Sequence, residues 1–329
     1  MGERWLIPTL SFLCVVALFA ACLLGSTAMP FERVLAAILG GADPADRLVI
    51  WTIRLPRALA AWLTGAALGI SGAALQGLLR NPLAEPGVLG VSASASLTAT
   101  FALYFGLVTL NPWILPLAAI MGAMIATALL SLAASRTQSV VTLILIGVGL
   151  SSFSGALMSL LMNLAPNPFS QADMINWMLG TVANRSFAEI LLVLPFIAAG
   201  TVCLLVNGRG LSALTLGEDA AAGVGLNLKR QRLWTVLGAG LATGASVALA
   251  GAIGFVGIVA PHVIRPLVKH DPARSLIPSA LLAGLILVVA DIFVRLLPST
   301  NELKLGVVAA LIGAPAFVWI AIRRRATDG

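Results

Sequence analysis

Apolar residues in this chain come in long unbroken blocks, with neither the alternation of strands nor the heptads of a coiled coil. Trp5 to Gly25 is about 21 apolar residues, enough to cross a bilayer core of roughly 30 Å. Blocks of the same character follow at about 57–79, 90–108, 113–134, 140–163, 188–206, 231–251, 253–268, 275–297 and 305–323. The pattern predicts an all-α, polytopic membrane protein with about ten transmembrane helices. The block at 253–268 is short and contains Pro261. Between the first two blocks, Met29 to Arg57 carries Glu32, Arg33, Asp43, Asp46 and Arg47, which predicts an extramembrane loop with a short amphipathic helix around Phe31 to Leu39.

The stretch Arg54 to Ser94 organises the rest. Its apolar part holds Gly65, Gly69, Gly72 and Gly77, with alanine at many positions between them. Lipid supplies no hydrophobic force between helices, so close backbone approach through small residues must hold them together. Ser71 and Gln76 add polar groups that need partners inside a bundle.

Composition agrees with the blocks. Of 329 residues, 59% are hydrophobic and 10% charged, against roughly 25% charged in soluble domains. The net charge of +7 is informative through its placement rather than its sum. With the N-terminus inside, thirteen Lys and Arg fall inside and seven outside, and Arg323–Arg325 put the C-terminus inside as well. That requires an even number of spans, so the short block counts as one. A cleaved signal peptide competes for the first block, and Phe19-Ala20-Ala21-Cys22 resembles a lipoprotein cleavage box. Signal peptides carry only roughly 7–15 apolar residues, so a retained helix is expected. Cys14, Cys22 and Cys203 lie in apolar runs, spaced for neither a metal nor a disulfide framework.

An internal echo suggests an inverted repeat. Thr64-Gly65-Ala66 precedes Gly72-Ala73 as Thr243-Gly244-Ala245 precedes Gly251-Ala252, on spans of opposite direction. The expected organisation is one permease domain over 1–329. Its first repeat is about 57–163, an inside segment 211–228 follows, and the second repeat is about 231–323.

Two inside-facing segments are unlike plain loops. One is Arg80-Asn81-Pro82-Leu83-Ala84-Glu85-Pro86-Gly87. The other, Leu211 to Leu228, has Glu218 and Asp219 where a helix could start and Gly223 and Gly225 where it could end. So many Leu and Ala residues in a surface segment predict a docking helix for another protein.

The chemistry of an energy source is missing. No G-x-x-x-x-G-K-[ST] occurs, so ATP is not cradled by a P-loop of this chain. A gradient-driven carrier would hold acids in mid-membrane, for which Asp291 and Glu189 are the candidates. Asp291 is also placed to pair with Arg295 four residues on. An intramembrane serine protease is a further alternative, since Gly69-Ile70-Ser71-Gly72 matches G-x-S-G and His262 could serve as base. His270 reads as solvated beside Lys269 and Asp271.

RLPR (54–57), GAALGISGAALQGLLRNPLAEPGVLGVS (65–92), NWMLG (176–180), LTLGEDAAAGVGL (214–226), GAIGFVGIVAPHVIR (251–265), LLPSTNEL (296–303) and LGVVAALIGAPAFVWI (305–320) resemble FecCD-type permeases. These are the membrane subunits of ABC importers for ferric siderophores, haem and cobalamin, and the likeness covers nearly the whole chain in order. It implies a multi-pass protein of the bacterial inner membrane, paired with a second permease as a homodimer or a paired heterodimer. Two ATPase subunits inside would carry ATP and Mg, and a periplasmic substrate-binding protein would dock outside; this chain would bind no cofactor, metal or nucleic acid and would not itself be an enzyme. It assigns ATPase coupling to Leu214, Leu216, Gly217, Glu218, Ala220, Gly223, Gly225 and Leu226. It assigns a cytoplasmic gate to Asn81, Pro82 and Leu83, and binding-protein docking to Arg54, Arg57 and Arg295. The 140–163 helix would line the path with Gly147, Ser151, Ser154 and Met158. Lys304 departs from the family's usual proline before the last span. A ferric siderophore leads the expected cargoes by family frequency, then haem, then cobalamin.

Overall fold

The computed structural model describes residues 3–25, 29–136, 139–297 and 302–325, and every regular element among them is helical. Each expected span is a helix. They are α1 (Glu3–Leu23), α4 (Leu55–Leu78), α5 (Val91–Tyr104), α6 (Ile114–Arg136), α7 (Val140–Asn163), α9 (Phe187–Val206), α12 (Leu228–Ala250), α13 (Val256–Ile264), α14 (Pro272–Leu296) and α15 (Leu305–Arg325). The short helices are α2 (Phe31–Leu39), α3 (Pro44–Leu48), α8 (Pro168–Met178), α10 (Gly208–Ala213) and α11 (Glu218–Gly223). Among the described residues, seven helices are long and apolar enough to cross a membrane. α5 and α13 are shorter than the blocks that announced them, for a reason given below.

Helix α4 is the centre. A π-helical turn over Val49–Arg54 leads into it, and Pro56, which has no N–H to continue the ladder, follows directly on that change of helical pitch. Most of its residues are buried, and it packs on α14, α12 and α13. A Cβ on Gly65 would overlap the carbonyl of Ala283 in α14, and one on Gly72 would overlap the carbonyl of Gly257 in α13. Backbone-to-backbone approach of this kind needs glycine. Two polar groups on α4 find carbonyls on the neighbouring helices. Ser71 Oγ donates to the Ala239 carbonyl at 3.4 Å, and Gln76 Nε2 to the Gly257 carbonyl at 3.4 Å.

The helix starts are read locally. Ser139, Asn167, Asn227 and Asp271 each accept a backbone N–H at the start of a helix, and Ser186 and Glu189 form a reciprocal capping box on α9. The amphipathic helix expected near 31–39 is present, with Val34 and Ala37 buried and Phe31 and Leu39 exposed. Arg33 holds it to α3 through both oxygens of Asp46, at 2.6 and 2.5 Å.

Candidate functional site

The segment after α9 is built as a rigid projection. Leu211 and Leu214 are buried in the main core, which fixes α10 and the 3-10 turn Leu214–Leu216 that follows it. Ser212 Oγ donates to Asp271 at 2.5 Å, Gln231 Nε2 donates to the Asn207 carbonyl at 3.0 Å, and Arg232 pairs with Glu218 at 2.8 Å. Two of these bonds therefore tie the segment to α12 and one ties it to the cap of α14. Gly217 turns the chain at φ 104°, α11 begins at Glu218, and Gly225 turns it again at φ 89°. Between these anchors Leu216 is 70% exposed and Val224 72% exposed, while Ala220 and Gly223 are exposed and Leu226 half-buried. Leu214 thus holds the segment from within, and Leu216 is the apolar side chain it presents.

The stretch 79–90 re-enters the bundle. Leu83 N–H donates to Asn81 Oδ1 at 3.0 Å, so Asn81 fixes the turn rather than facing away from it. Pro82 is buried, Leu83 half-buried and Asn81 exposed. Beyond them Glu85 accepts the N–H of Phe255 at 2.5 Å, and Ser151 in α7 donates to the Gly87 carbonyl at 3.3 Å. Phe255 is the break ahead of α13 and has φ 67°, a conformation L side chains rarely adopt. The two breaks therefore meet: α5 starts above the 79–90 stretch and α13 below Phe255, which explains why both helices are short. Irregular backbone at this depth is tolerated because it is buried in protein. Glu85 is a residue the sequence reading passed over. Its signal was an acid between two prolines inside an apolar run.

A second junction joins three of the quoted motifs. Thr181 N–H donates to the Ala250 carbonyl at 2.7 Å, and Gly306 N–H to the Gly180 carbonyl at 3.2 Å. NWMLG, GAIG and the start of α15 thus touch through backbone. Lys304 stands where a proline was expected, and its carbonyl accepts from Val307 and Val308 to open α15. Asn301 lies outside the described residues.

The residues expected to line a path on α7 lie on its covered face. Gly147, Ser154 and Met158 are buried and Ser151 half-buried, on the side of α7 turned to α5 and the turn Pro86–Leu89. Ser154 Oγ lies 3.3 Å from Ser94 Oγ. The reason is their spacing. At 147, 151, 154 and 158 they share one helical face, and small residues on one face pack against a neighbour. The open face of α7 is the opposite one, with Val141, Leu145, Gly149, Phe153 and Leu160.

Arg54, Arg57 and Arg295 gather at one end of the bundle, but their side chains turn inward. Helix α1 ends with carbonyls that no helical N–H can reach. Arg54 Nη1 donates to Cys22 and Leu23 at 2.7 and 3.1 Å, and Arg295 Nη1 to Ala21 and Leu24 at 3.0 and 3.1 Å. A cation at a helix C-terminus is favoured by the dipole as well. Arg57 grips Asp291 through Nε and Nη2 at 2.9 and 2.7 Å and also pairs with Glu302. Arg295 adds a contact of 3.1 Å to Asp291. Arg54 is 5% exposed, and the Arg57 and Arg295 side chains 12% and 9%. Glu302, at 40%, is the open member of the group.

The gradient and protease readings lose their residues here. Asp291 is held between two arginines, and Glu189 caps α9 while pairing with Arg185 at 2.5 Å. Ser71 is committed to a carbonyl of α12. Among the described residues no three His, Cys, Asp or Glu cluster as metal ligands do.

Known proteins match this architecture. Residues 13–323 match the FecCD transport family. The chain is 41% identical to the ABC transporter permease YvrB of Bacillus subtilis over 87% of this chain and 82% of that one. It is 39% identical to the vitamin B12 import system permease BtuC of Klebsiella pneumoniae, over 98% and 95% of the two chains. A solved metal-chelate type ABC transporter in an inward-facing conformation superposes with a TM-score of 0.84 at 28% identity, covering 98% and 99%.

Proposed function

The chain belongs to the FecCD transport family and is an ABC importer permease, and we propose that it moves a bulky metal chelate into the cytoplasm, powered by a separate ATPase. The observation that carries this reading is Leu216. An exposed leucine on a frame tied to α12 and to the cap of α14 can pass motion to both helices. We assign the 208–226 segment to ATPase docking, with Leu216 and Val224 as the apolar contacts and Glu218 as its tie to Arg232. The 79–90 stretch, with Asn81, Pro82 and Leu83 at its mouth, serves as the inner gate.

The working assembly is two permeases, two ATPases that hold ATP and Mg, and an outer substrate-binding protein, in the inner membrane with both termini cytoplasmic. The positive-inside count supports that orientation. The open face of α7 supports a path between two copies, since this span sits centrally in the sequence yet leaves most of its surface uncovered. At the outer end, Arg57 is already paired with Asp291 and Glu302, so the open Glu302 gives a cationic side chain of the binding protein the best approach; Arg54 and Arg295 fasten α1 beside it. An inverted relation between the halves is supported by α4 and α12, which carry the echoed motifs and pack together.

The cargo class is a ferric siderophore first, by family frequency. A corrinoid is the second reading, favoured over haem by the B12 import permeases among the relatives. Metal analysis and the absorption spectrum of the ligand that co-purifies with the cognate binding protein decide it. Iron without a haem band supports the siderophore and cobalt the corrinoid; a ligand free of metal would contradict the chelate reading.

A further inference from the structure

A cavity of about 470 Å³ opens beside the first turns of α1 and α14. Its walls are Leu6, Ile7, Val268, Ile277 and Pro278, and Arg4 and Arg274 stand at its rim. The two helices run side by side here. Leu6 and Leu10 pack with Ile264 and Val268, and Cys14 Sγ donates to the Leu281 carbonyl at 3.3 Å. Because both helices begin at this level, the cavity lies where acyl chains give way to headgroups. Trp5, 67% exposed beside Arg4, is a residue type that collects at that depth.

The chemistry is split in the manner of a lipid. Ile7 and Ile277 are each 42% exposed on the apolar wall, while the cations sit at one end only. Arg274 has Asp271 at 3.3 Å and is still 57% exposed. The Asp271 carboxylate is also held through Oδ1 by Ser212 Oγ at 2.5 Å and by the Ala273 N–H at 2.9 Å, so it is shared between α10, the start of α14 and Arg274. Basic pockets between membrane helices on the cytoplasmic side suit anionic headgroups.

We propose that this cavity binds one anionic phospholipid per chain, phosphate between Arg4 and Arg274 and acyl chains along Ile7 and Ile277. The inner-leaflet placement rests on the cytoplasmic N-terminus proposed above; the lipid binding itself does not. The site also touches the coupling frame, since the Asp271 beside Arg274 is the one that anchors Ser212.

The test is native mass spectrometry of the delipidated, detergent-solubilised full chain, titrated with phosphatidylglycerol, phosphatidylcholine or inorganic phosphate. Two basic residues near an anionic surface favour the charged lipid on the order of 30-fold. The unaltered chain should retain one phosphatidylglycerol and far less phosphatidylcholine, and phosphate should not displace the lipid. R4Q with R274Q should lose roughly tenfold or more of that preference while its melting temperature without lipid stays put. I277W, which fills the groove and keeps both charges, should lose the lipid as well. Equal retention by R4Q/R274Q, equal binding of the zwitterionic lipid, or full displacement by phosphate would each overturn the proposal. Failure of these outcomes leaves the transport reading intact, because lipid retention is measured on the isolated chain and reads neither ATP hydrolysis nor uptake.

Discussion

Arg54 and Arg295 divide four carbonyls at the end of α1 between them, Arg54 taking Cys22 and Leu23 and Arg295 taking Ala21 and, just past the helix, Leu24. Two residues 241 positions apart in one chain thus close a helix to which neither belongs. R54K keeps the charge near the helix end but cannot spread planar donors over two acceptors. It should cost about 1–2 kcal/mol, within the range for hydrogen bonds to charged groups. Thermal unfolding in detergent should show a drop of a few degrees. An unchanged midpoint would mean the cap contributes nothing.

Asp291 is the anion that lets Arg57 and Arg295 lie close together. D291N should therefore harm stability more than a lost surface pair would, by about 3–5 kcal/mol as for other broken buried pairs. R57Q in the same chain should recover part of that loss. A double-mutant cycle should return a coupling of roughly 0.5–3 kcal/mol, and simple additivity would show that the two residues act independently.

Much of this was legible in advance. Each of the ten expected blocks holds a helix, and among the described residues seven of these helices are long and apolar enough to cross a membrane. What the sequence hid was direction. An arginine at a helix end reads as facing water, and only the packing of α1 against α4 and α14 reveals carbonyls waiting for it. Gly147, Ser151, Ser154 and Met158 on α7 invited a path, and their spacing puts them on the face packed against α5. Helix α8 went unseen because its mixed, short sequence resembles the loop around it. The meeting of Glu85 and Phe255 could not be read at all, since the two residues are 170 positions apart.

Glycine spacing on α4 makes a paired prediction. G72A should lower the melting point sharply, because its Cβ meets the Gly257 carbonyl and overpacking costs about 1–3 kcal/mol or more. G155A, on α7, has open space around the new methyl and should be silent. Equal sensitivity at both positions would show that α4 and α13 are not packed as described.

Glu85 joins the re-entrant stretch to the break before α13. E85Q retains an acceptor for the Phe255 N–H, whereas E85A leaves that N–H without its partner, at a cost of about 1–3 kcal/mol. The alanine variant should be the less stable of the two and should transport more slowly. If both variants behave alike, the bond to Phe255 does not hold the two breaks together.

The central claim is that this permease draws on a partner's ATP hydrolysis through the 208–226 segment. The direct measurement is ATP hydrolysis and chelate uptake together, in proteoliposomes holding the full complex, with the unaltered chain or L216D. A carboxylate forced into an apolar contact loses water without gaining a partner, a penalty of several kcal/mol. The account predicts that L216D abolishes both activities while the permease keeps its melting temperature and its binding-protein affinity. Normal, ATP-dependent uptake by L216D, or uptake by the unaltered chain that continues without ATP, would contradict it.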